Sequence, residues 1–425
     1  MPKAAADSVN CSWPKSQFEM GINIQRWHYI ELIEFRMSTR ASDNFNEIMR
    51  FVRFITSCVG FDVYDPNFHF SAVTITVVAL ISMYFIFTIL TIAKEFHGNW
   101  MFMIQASAMS GSVVQACAKI YMGVSSVETV SKLYVQLNQN YTHFEKEEDA
   151  RYSMALLRSC HKLRRFLVLV GISYMVGALG MIIVAVLASI LTGKLYLIMH
   201  FHLPGIDVNT EWGAWATQAL HCVCIILGGL GLYTGDMIII VYLMQSFVYA
   251  DILQLKVDHL NALSENQDST EKQLEASAQL INIAKWHQTY TRFIDQCNDM
   301  FSVLVSVQVT TSAVCIVITI FSLLTSDWIG GYCYFCVLVP NMYLYCILGT
   351  ILENCSEKFM YEMYNISFYN LNPSQQRFVL FMLAKSQQPG AILLLGVMPL
   401  SVSSALQVTK SIYSITMMMA RFLQK

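Results

Sequence analysis

Apolar residues in this chain gather in runs too long and too continuous for the interior of a soluble domain. Seven stretches supply the roughly 20 mostly apolar residues that a helix needs to cross a bilayer. They are Ser71 to Ala93, Trp100 to Ala118, Phe166 to Leu191, Ala216 to Val248, Met300 to Leu324, Ile329 to Leu352 and Ala391 to Ala420. The fourth is long enough to protrude. Polar residues interrupt the second, at Gln105, Ser107, Ser110, Ser112 and Gln115, and the seventh, at Ser401, Ser403, Ser404, Gln407, Thr409, Lys410, Ser411, Ser414 and Thr416. A polar group in hydrocarbon costs free energy unless something satisfies it. The seventh span is therefore expected to face protein or water.

Between the runs the pattern becomes amphipathic. Ile252, Leu253, Val257, Leu260 and Leu263 recur at helical spacing, a polar turn follows over Ser264 to Thr270, and Leu274, Leu280, Ile281, Ile283, Ala284 and Trp286 form a second stripe. The fourth and fifth spans are thus expected to continue as one helical hairpin. Cys355 to Leu371 and Pro373 to Gln388 add more helix, ended by Pro389 and Gly390. Phe45 to Phe61 reads as an amphipathic helix, either at a membrane surface or packed on the rest of the protein.

Charge orients these elements. Of the 27 Lys and Arg residues, 22 fall before Ser71, from Lys119 to Arg165, from Ala250 to Asp299 and from Glu353 to Gly390. Only Lys94, Lys194, Arg421 and Lys425 fall on the other side, and Lys410 lies within the seventh span. Positive charge collects in the cytosol, so the N-terminus is expected inside and the C-terminus outside. The expected fold is an all-α integral membrane protein with seven transmembrane helices and a helical cytosolic anchor layer. It divides into a cytosolic segment (1–70), four spans (71–248), a cytosolic hairpin (249–299), two spans (300–352), further cytosolic helices (353–390) and the seventh span (391–425). The sequons at Asn10, Asn140, Asn354 and Asn365 all fall on the cytosolic side of this topology.

Composition agrees. Charged residues make up 13% of the chain, against about 25% in soluble domains, and mean hydropathy is +0.47. A net charge of −2 suggests no nucleic acid, and residues 1–70 lack the apolar core of a signal peptide. The chain contains none of the common catalytic motifs, from a Walker loop to G-x-S-x-G, H-E-x-x-H or a kinase pattern, so neither an enzyme nor a cofactor is expected. Cys222, Cys224, Cys333 and Cys336 lie inside apolar spans and read as packing, and His200 and His202 as a surface pair rather than metal ligands. Asp236 is an intramembrane acid, which is either functional or satisfied between helices.

Two constellations carry binding chemistry. Aromatic and Met residues crowd the outer half of the bundle. Of these, Tyr84, Phe85, Met101, Phe102, Tyr174, Met181, Tyr332 and Phe335 are candidate contacts for an apolar ligand. In the seventh span, Val408, Ile412, Ile415 and Met419 share a helical face, with Ser411 and Thr416 beside it. Repeated around a symmetry axis, such a face is a candidate pore lining and gate. Lys410 must reach water, a headgroup or an acid.

The stretch AKSQQPGAILLLGVMPLSVSSALQVTKSIYS, Ala384 to Ser414, resembles the C-terminal signature of insect odorant receptors. Lys285 to Ile294 (KWHQTYTRFI), followed by Met300 to Ser302 (MFS), resembles the entry to that family's fifth span, and Leu203 to Asp207 (LPGID) its second outer loop. Ile412 stands where the family usually has Ser or Thr, and Phe368 where it often has Trp. Length and sequence style resemble a ligand-tuning subunit of the moth odorant or pheromone group. The resemblance implies a ligand-gated, non-selective cation channel in the plasma membrane of a sensory dendrite. It also implies a heterotetramer with the odorant receptor co-receptor, a pore lined by the seventh helix, and an apolar odorant or pheromone held in the outer half of the bundle.

The main alternative is a G-protein-coupled receptor. The inverted topology opposes it, as does the lack of an Asp-Arg-Tyr triplet after the third span and of Asn-Pro-x-x-Tyr in the seventh; Asn372 and Pro373 are misplaced and lack the Tyr. A transporter ranks lower, because no inverted repeat is visible.

Overall fold

The computed structural model describes residues 40–423, apart from 65–68, 70, 96–99, 194–195, 202, 204–205, 207–209, 266–269, 327 and 389. The segment before Arg40 with its Asn10 sequon, and Lys194, His202, Pro204, Gly205, Asp207, Pro389 and Lys425, lie outside the described residues. The described chain is helical almost throughout. It runs α1 (Ala41–Cys58), α2 (Ala72–Glu95), α3 (Trp100–Ser125), α4 (Val127–Glu145), α5 (Ala150–Thr192), α6 (Glu211–Met244), α7 (Ser246–Glu265), α8 (Thr270–Thr325), α9 (Ile329–Tyr364), α10 (Pro373–Ser386) and α11 (Val402–Leu423), with a two-stranded ladder of β1 (Leu393–Leu394) and β2 (Met398–Pro399) before α11.

Five stretches are long and apolar enough to cross a membrane: Ala72–Lys94, Ala150–Thr192, Glu211–Glu265, Glu271–Thr325 and Ile329–Asn370. The two helices that complete a seven-helix bundle, α3 and α11, are the ones whose sequences carry the polar interruptions. Helix α8, at 56 residues, is about 84 Å long at 1.5 Å per residue. The hydrocarbon layer is only about 30 Å thick, so much of α8 must project beyond it.

The projecting part packs with α7 and α9. Tyr249 stacks near Phe293 at 4.8 Å between ring centroids, and Tyr290 on Phe359 at 4.4 Å. The Trp286 indole donates to the Tyr249 carbonyl at 3.0 Å. Lys358 pairs with Asp251 at 2.6 Å. Helix α1 lays its apolar face, Phe45, Ile48, Met49 and Val52, against the bundle, with Phe45 stacked 4.3 Å from Tyr141. Of the two readings of this stretch, packing on the protein is the one realised.

Helix starts follow local chemistry. The Asp149 carboxylate accepts from the Arg151 amide ahead of α5, and Thr210 accepts from the Gly213 amide ahead of α6. Helix α10 opens with Pro373 and an Asn372–Gln375 capping box.

The seventh span begins later than its apolar run suggested. Residues 391–401 are not helical; β1 and β2 pair Leu393 with Pro399 and Leu394 with Met398. The turn between them places Leu395 and Gly396 at φ 53° and 71°, and the Val397 amide donates to the Leu394 carbonyl at 3.1 Å. Two positive φ values describe a tight hairpin turn that no right-handed helix accommodates. Side chains of α8 fasten this hairpin. Asn298 accepts from the Leu393 amide at 3.1 Å and Ser306 from the Leu395 amide at 2.7 Å. Gly349 lets α9 approach so closely that a Cβ there would lie 2.1 Å from the Leu400 carbonyl oxygen.

Candidate functional site

The most polar point inside the spans is Asp236 on α6, 1% exposed. Its carboxylate lies 2.5 Å from the Lys119 ammonium of α3. It accepts hydrogen bonds from the Tyr174 hydroxyl of α5 and the Tyr345 hydroxyl of α9. The Lys119 ammonium also donates to the Leu232 carbonyl at 2.9 Å, and the Tyr174 hydroxyl lies 3.2 Å from Asn341 Oδ1. Gly235 makes room, since a Cβ there would meet Lys119 Cδ at 2.5 Å. Burying two charges is expensive unless their remaining hydrogen bonds are made; here they are, and four helices are pinned to one carboxylate. Of the two readings of Asp236, the geometry gives the satisfied helix-packing role.

Lys119 shows what sequence reasoning missed. A charge at the end of an apolar run reads as the start of a loop. Helix α3 instead continues to Ser125, and Lys119 is 5% exposed. The available signal was the apolar continuation Ile120, Tyr121 and Met122 beyond it.

At the opposite end from α7 lies a cavity of ≈ 300 Å³. Phe102 and Gln105 of α3 line it, with Met181, Ala185 and Ala188 of α5, residues 196–198 and His200 before α6, and Ser326 and Trp328 before α9. The His200 ring sits edge-on to Phe102 at 5.1 Å and to Trp328 at 5.0 Å. His200 is thus a buried wall residue, contrary to the surface pair expected of it. Gln105 donates to Ser326 Oγ at 2.8 Å. The Trp328 indole N–H is buried and has no hydrogen-bond partner among the described residues. The cavity therefore has aliphatic and aromatic walls interrupted by Gln105, His200 and Ser326, with the Trp328 donor lacking an acceptor among the described residues.

The eight candidate ligand contacts separate. Phe102 and Met181 line this cavity. Tyr84 packs edge-on to Phe201 at 5.3 Å and lines a narrower crevice between α2, α3 and α6. Tyr174 is committed to Asp236. Met101 Sδ accepts from Thr325 Oγ1 at 3.2 Å, tying α3 to α8, and Phe335 packs half-buried against the core. Phe85 and Tyr332 are 43% and 61% exposed and line neither space. Successive helical residues point about 100° apart, so an aromatic run cannot all face one pocket.

The six candidate pore residues separate too. Ile412 is buried against its own bundle, and Val408, Thr416 and Met419 are half-buried. Thr409, on the same inward side, shares a hydrogen bond of 2.9 Å with Tyr343 of α9. Ser411 and Ile415 are exposed, as are Gln407, Lys410, Ser414 and Met418. Ile412 thus packs into its own bundle.

A family profile described as 7tm Odorant receptor matches residues 99–413. Among individual proteins, the chain is 27% identical over 392 residues to putative odorant receptor 83c of Drosophila melanogaster, covering 90% of this chain and 98% of that one. It is 22% identical over 273 residues to odorant receptor 85f of the same fly, covering 61% and 66%. The olfactory receptor OR5 of Machilis hrabei, solved in complex with eugenol, superposes with a TM-score of 0.69 at 11% identity, over 89% of this chain and 100% of that one. A second structure of that receptor gives 0.70 at 13% identity, over 88% and 99%. The last two likenesses concern the fold.

Proposed function

The chain belongs to the 7tm odorant receptor family of insects, and from this premise we propose that it is the odorant-binding subunit of a ligand-gated, non-selective cation channel. The observation that carries the proposal is the two-sidedness of α11. One side, with Ala405, Ile412 and the Thr409–Tyr343 bond, is taken up by its own bundle. The other leaves Gln407, Lys410, Ser411 and Ser414 exposed. Ser411 and Ser414 bond back to the Gln407 and Lys410 carbonyls at 3.1 and 3.0 Å, but lipid would leave the Gln407 amide and the Lys410 ammonium unsatisfied; a water-filled conduit shared with neighbouring subunits satisfies them. The pore lining in this reading is the face of Gln407, Ser411, Ser414 and Met418, with Ile415 at its edge.

The odorant occupies the ≈ 300 Å³ cavity beside Phe102, Met181 and Trp328. The unpartnered Trp328 N–H suits an apolar volatile bearing one acceptor oxygen, such as an alcohol, aldehyde or ester. The charge asymmetry supports a cytosolic N-terminus, an outer odorant cavity and an α7–α8–α10 layer that holds subunits together inside the cell. The partner is the odorant receptor co-receptor in a heterotetramer, and the site of action is the plasma membrane of a sensory dendrite. Odorant opens the pore only to the extent that it binds the open state more tightly than the closed one.

Co-expression with the co-receptor tests this reading. The expected result is an odour-evoked cation current, together with antibody labelling of a C-terminal tag on unpermeabilised cells. A surface-expressed protein whose tag is never labelled would sink the topology, and the absence of current across a broad volatile panel would sink the channel.

A further inference from the structure

The crevice that Tyr84 lines is a second space, between α2, α3 and α6, with Lys119 and Gly235 on its wall. It has a volume of ≈ 120 Å³ and follows α6 from Cys224 to Ile238, a length of about 21 Å at the helical rise. That is long for so small a volume, so its bore is narrow. Its walls are Val77, Leu80 and Ile81 of α2, Val113 and Ile120 of α3, and Leu227 of α6.

Three of the polar groups on its walls are already occupied. Ser112 donates to the Met109 carbonyl at 2.7 Å and Thr234 to the Leu230 carbonyl at 2.9 Å. Lys119 is held by Asp236 and the Leu232 carbonyl. Apart from the Tyr84 hydroxyl and the Cys224 thiol, a polar guest would find no free partner among these wall groups and would lose its hydration, whereas a hydrocarbon gains by burial. An unbranched chain matches a space of this length and volume.

Glycines open the crevice sideways. A Cβ at Gly228 would meet nothing within 4 Å, and one at Gly231 only Val59 Cγ1 at 3.8 Å. Gly228 is itself exposed. The opening therefore reaches the outside of the span at Gly228. In a spanning helix that surface is bathed in lipid chains. We propose that the α2–α3–α6 crevice is a lipid site, holding one unbranched acyl chain of a bilayer phospholipid that enters beside Gly228.

The test reconstitutes the full-length receptor in nanodiscs containing a phosphatidylcholine with a mid-chain diazirine, then irradiates and maps labelled peptides. Label is expected on α6 between Cys224 and Ile238 and on α3 around Val113 to Ile120. Gly228→Leu, whose Cβ would meet nothing within 4 Å, puts a side chain into the mouth and should cut that label about tenfold, the effect of excluding roughly two methylenes. Label on the exposed face of α5 at Leu169 and Val176 should stay unchanged. Gly231→Ala, whose added methyl meets only Val59, provides a milder version should the leucine variant fold poorly. The site is overturned if the crevice peptides take no label in the parent protein, or if both glycine variants label like the parent. Loss of crevice label on adding free 1-dodecanol, with α5 label retained, would overturn the lipid as occupant and give the space to a soluble aliphatic ligand.

Discussion

The Lys119–Asp236 cluster and helix α11 both put charged or polar side chains into spans, and they treat them in opposite ways. Around Asp236, each polar side chain comes from a different helix, and lysine, tyrosines and carboxylate satisfy one another inside a single chain. Along α11, Thr409 is tied to its own bundle through Tyr343 and the outward serines bond back to their own helix, while the Gln407 amide and the Lys410 ammonium are left exposed. A closed network costs little to bury and fixes geometry; an open one asks for a partner. Polarity within a span is therefore no guide to function until it is known whether the polarity is internally spent.

The strongest way to break this comparison is to unpair the cluster. Asp236→Ala leaves a buried ammonium and two buried hydroxyls without their acceptor, and should destabilise the receptor by about 3–5 kcal/mol. Thermal unfolding of the purified protein and its surface expression report this. The combined Lys119→Met, Asp236→Leu variant should recover most of the loss, because no charge is left stranded. An unchanged melting temperature for Asp236→Ala would refute the closed-network description.

The next test addresses α11 directly. Cysteines at Ser411 and Ser414 should react with a charged aqueous thiol reagent and block current, while a cysteine at Ile412 should not. Reaction at Ile412 as fast as at Ser411 would show that the inward and outward sides are misassigned.

Smaller effects sharpen the picture. Trp328→Phe keeps the ring and removes the donor; at about 0.5–1.5 kcal/mol for a net hydrogen bond, the half-maximal concentration of an oxygenated agonist should rise about 2- to 12-fold. The response to a hydrocarbon of the same shape should not move. Smallest is Tyr343→Phe, which removes one link between α9 and α11; because Thr409 keeps its bond to the Ala405 carbonyl, the loss lies at the low end, about 0.5 kcal/mol, and should alter basal leak about twofold, read as current without odorant.

Much of the fold was legible from the chain. Long apolar runs announced α2, α5, α6, α8 and α9, and the stripes after Ala250 announced the long continuation of α8. The helical hairpin needed only spacing arguments, since each apolar face had to be buried against another. Three things were hidden. The start of α11 was masked because Leu393, Leu394 and Leu395 look like span residues, while the hairpin depends on backbone angles at Leu395 and Gly396. The partner of Asp236 was masked because a lysine within an apolar run resembles a boundary. The lining of the cavity was masked because aromatic residues recur all around the helices; which of them face inward depends on packing, so Phe102 and Met181 enter it while Phe85 and Tyr332 turn away.

The unbroken length of α8 has a mechanical consequence. One end borders the cavity region through Thr325 and its bond to Met101, its middle fastens the hairpin before α11 through Asn298 and Ser306, and its far end lies in the layer with α7. A rod of this kind acts as a lever. Pivoting by about 5° around its centre would carry each end of a helix about 84 Å long through roughly 4 Å, which is the scale of displacement that separates a closed conduit from an open one.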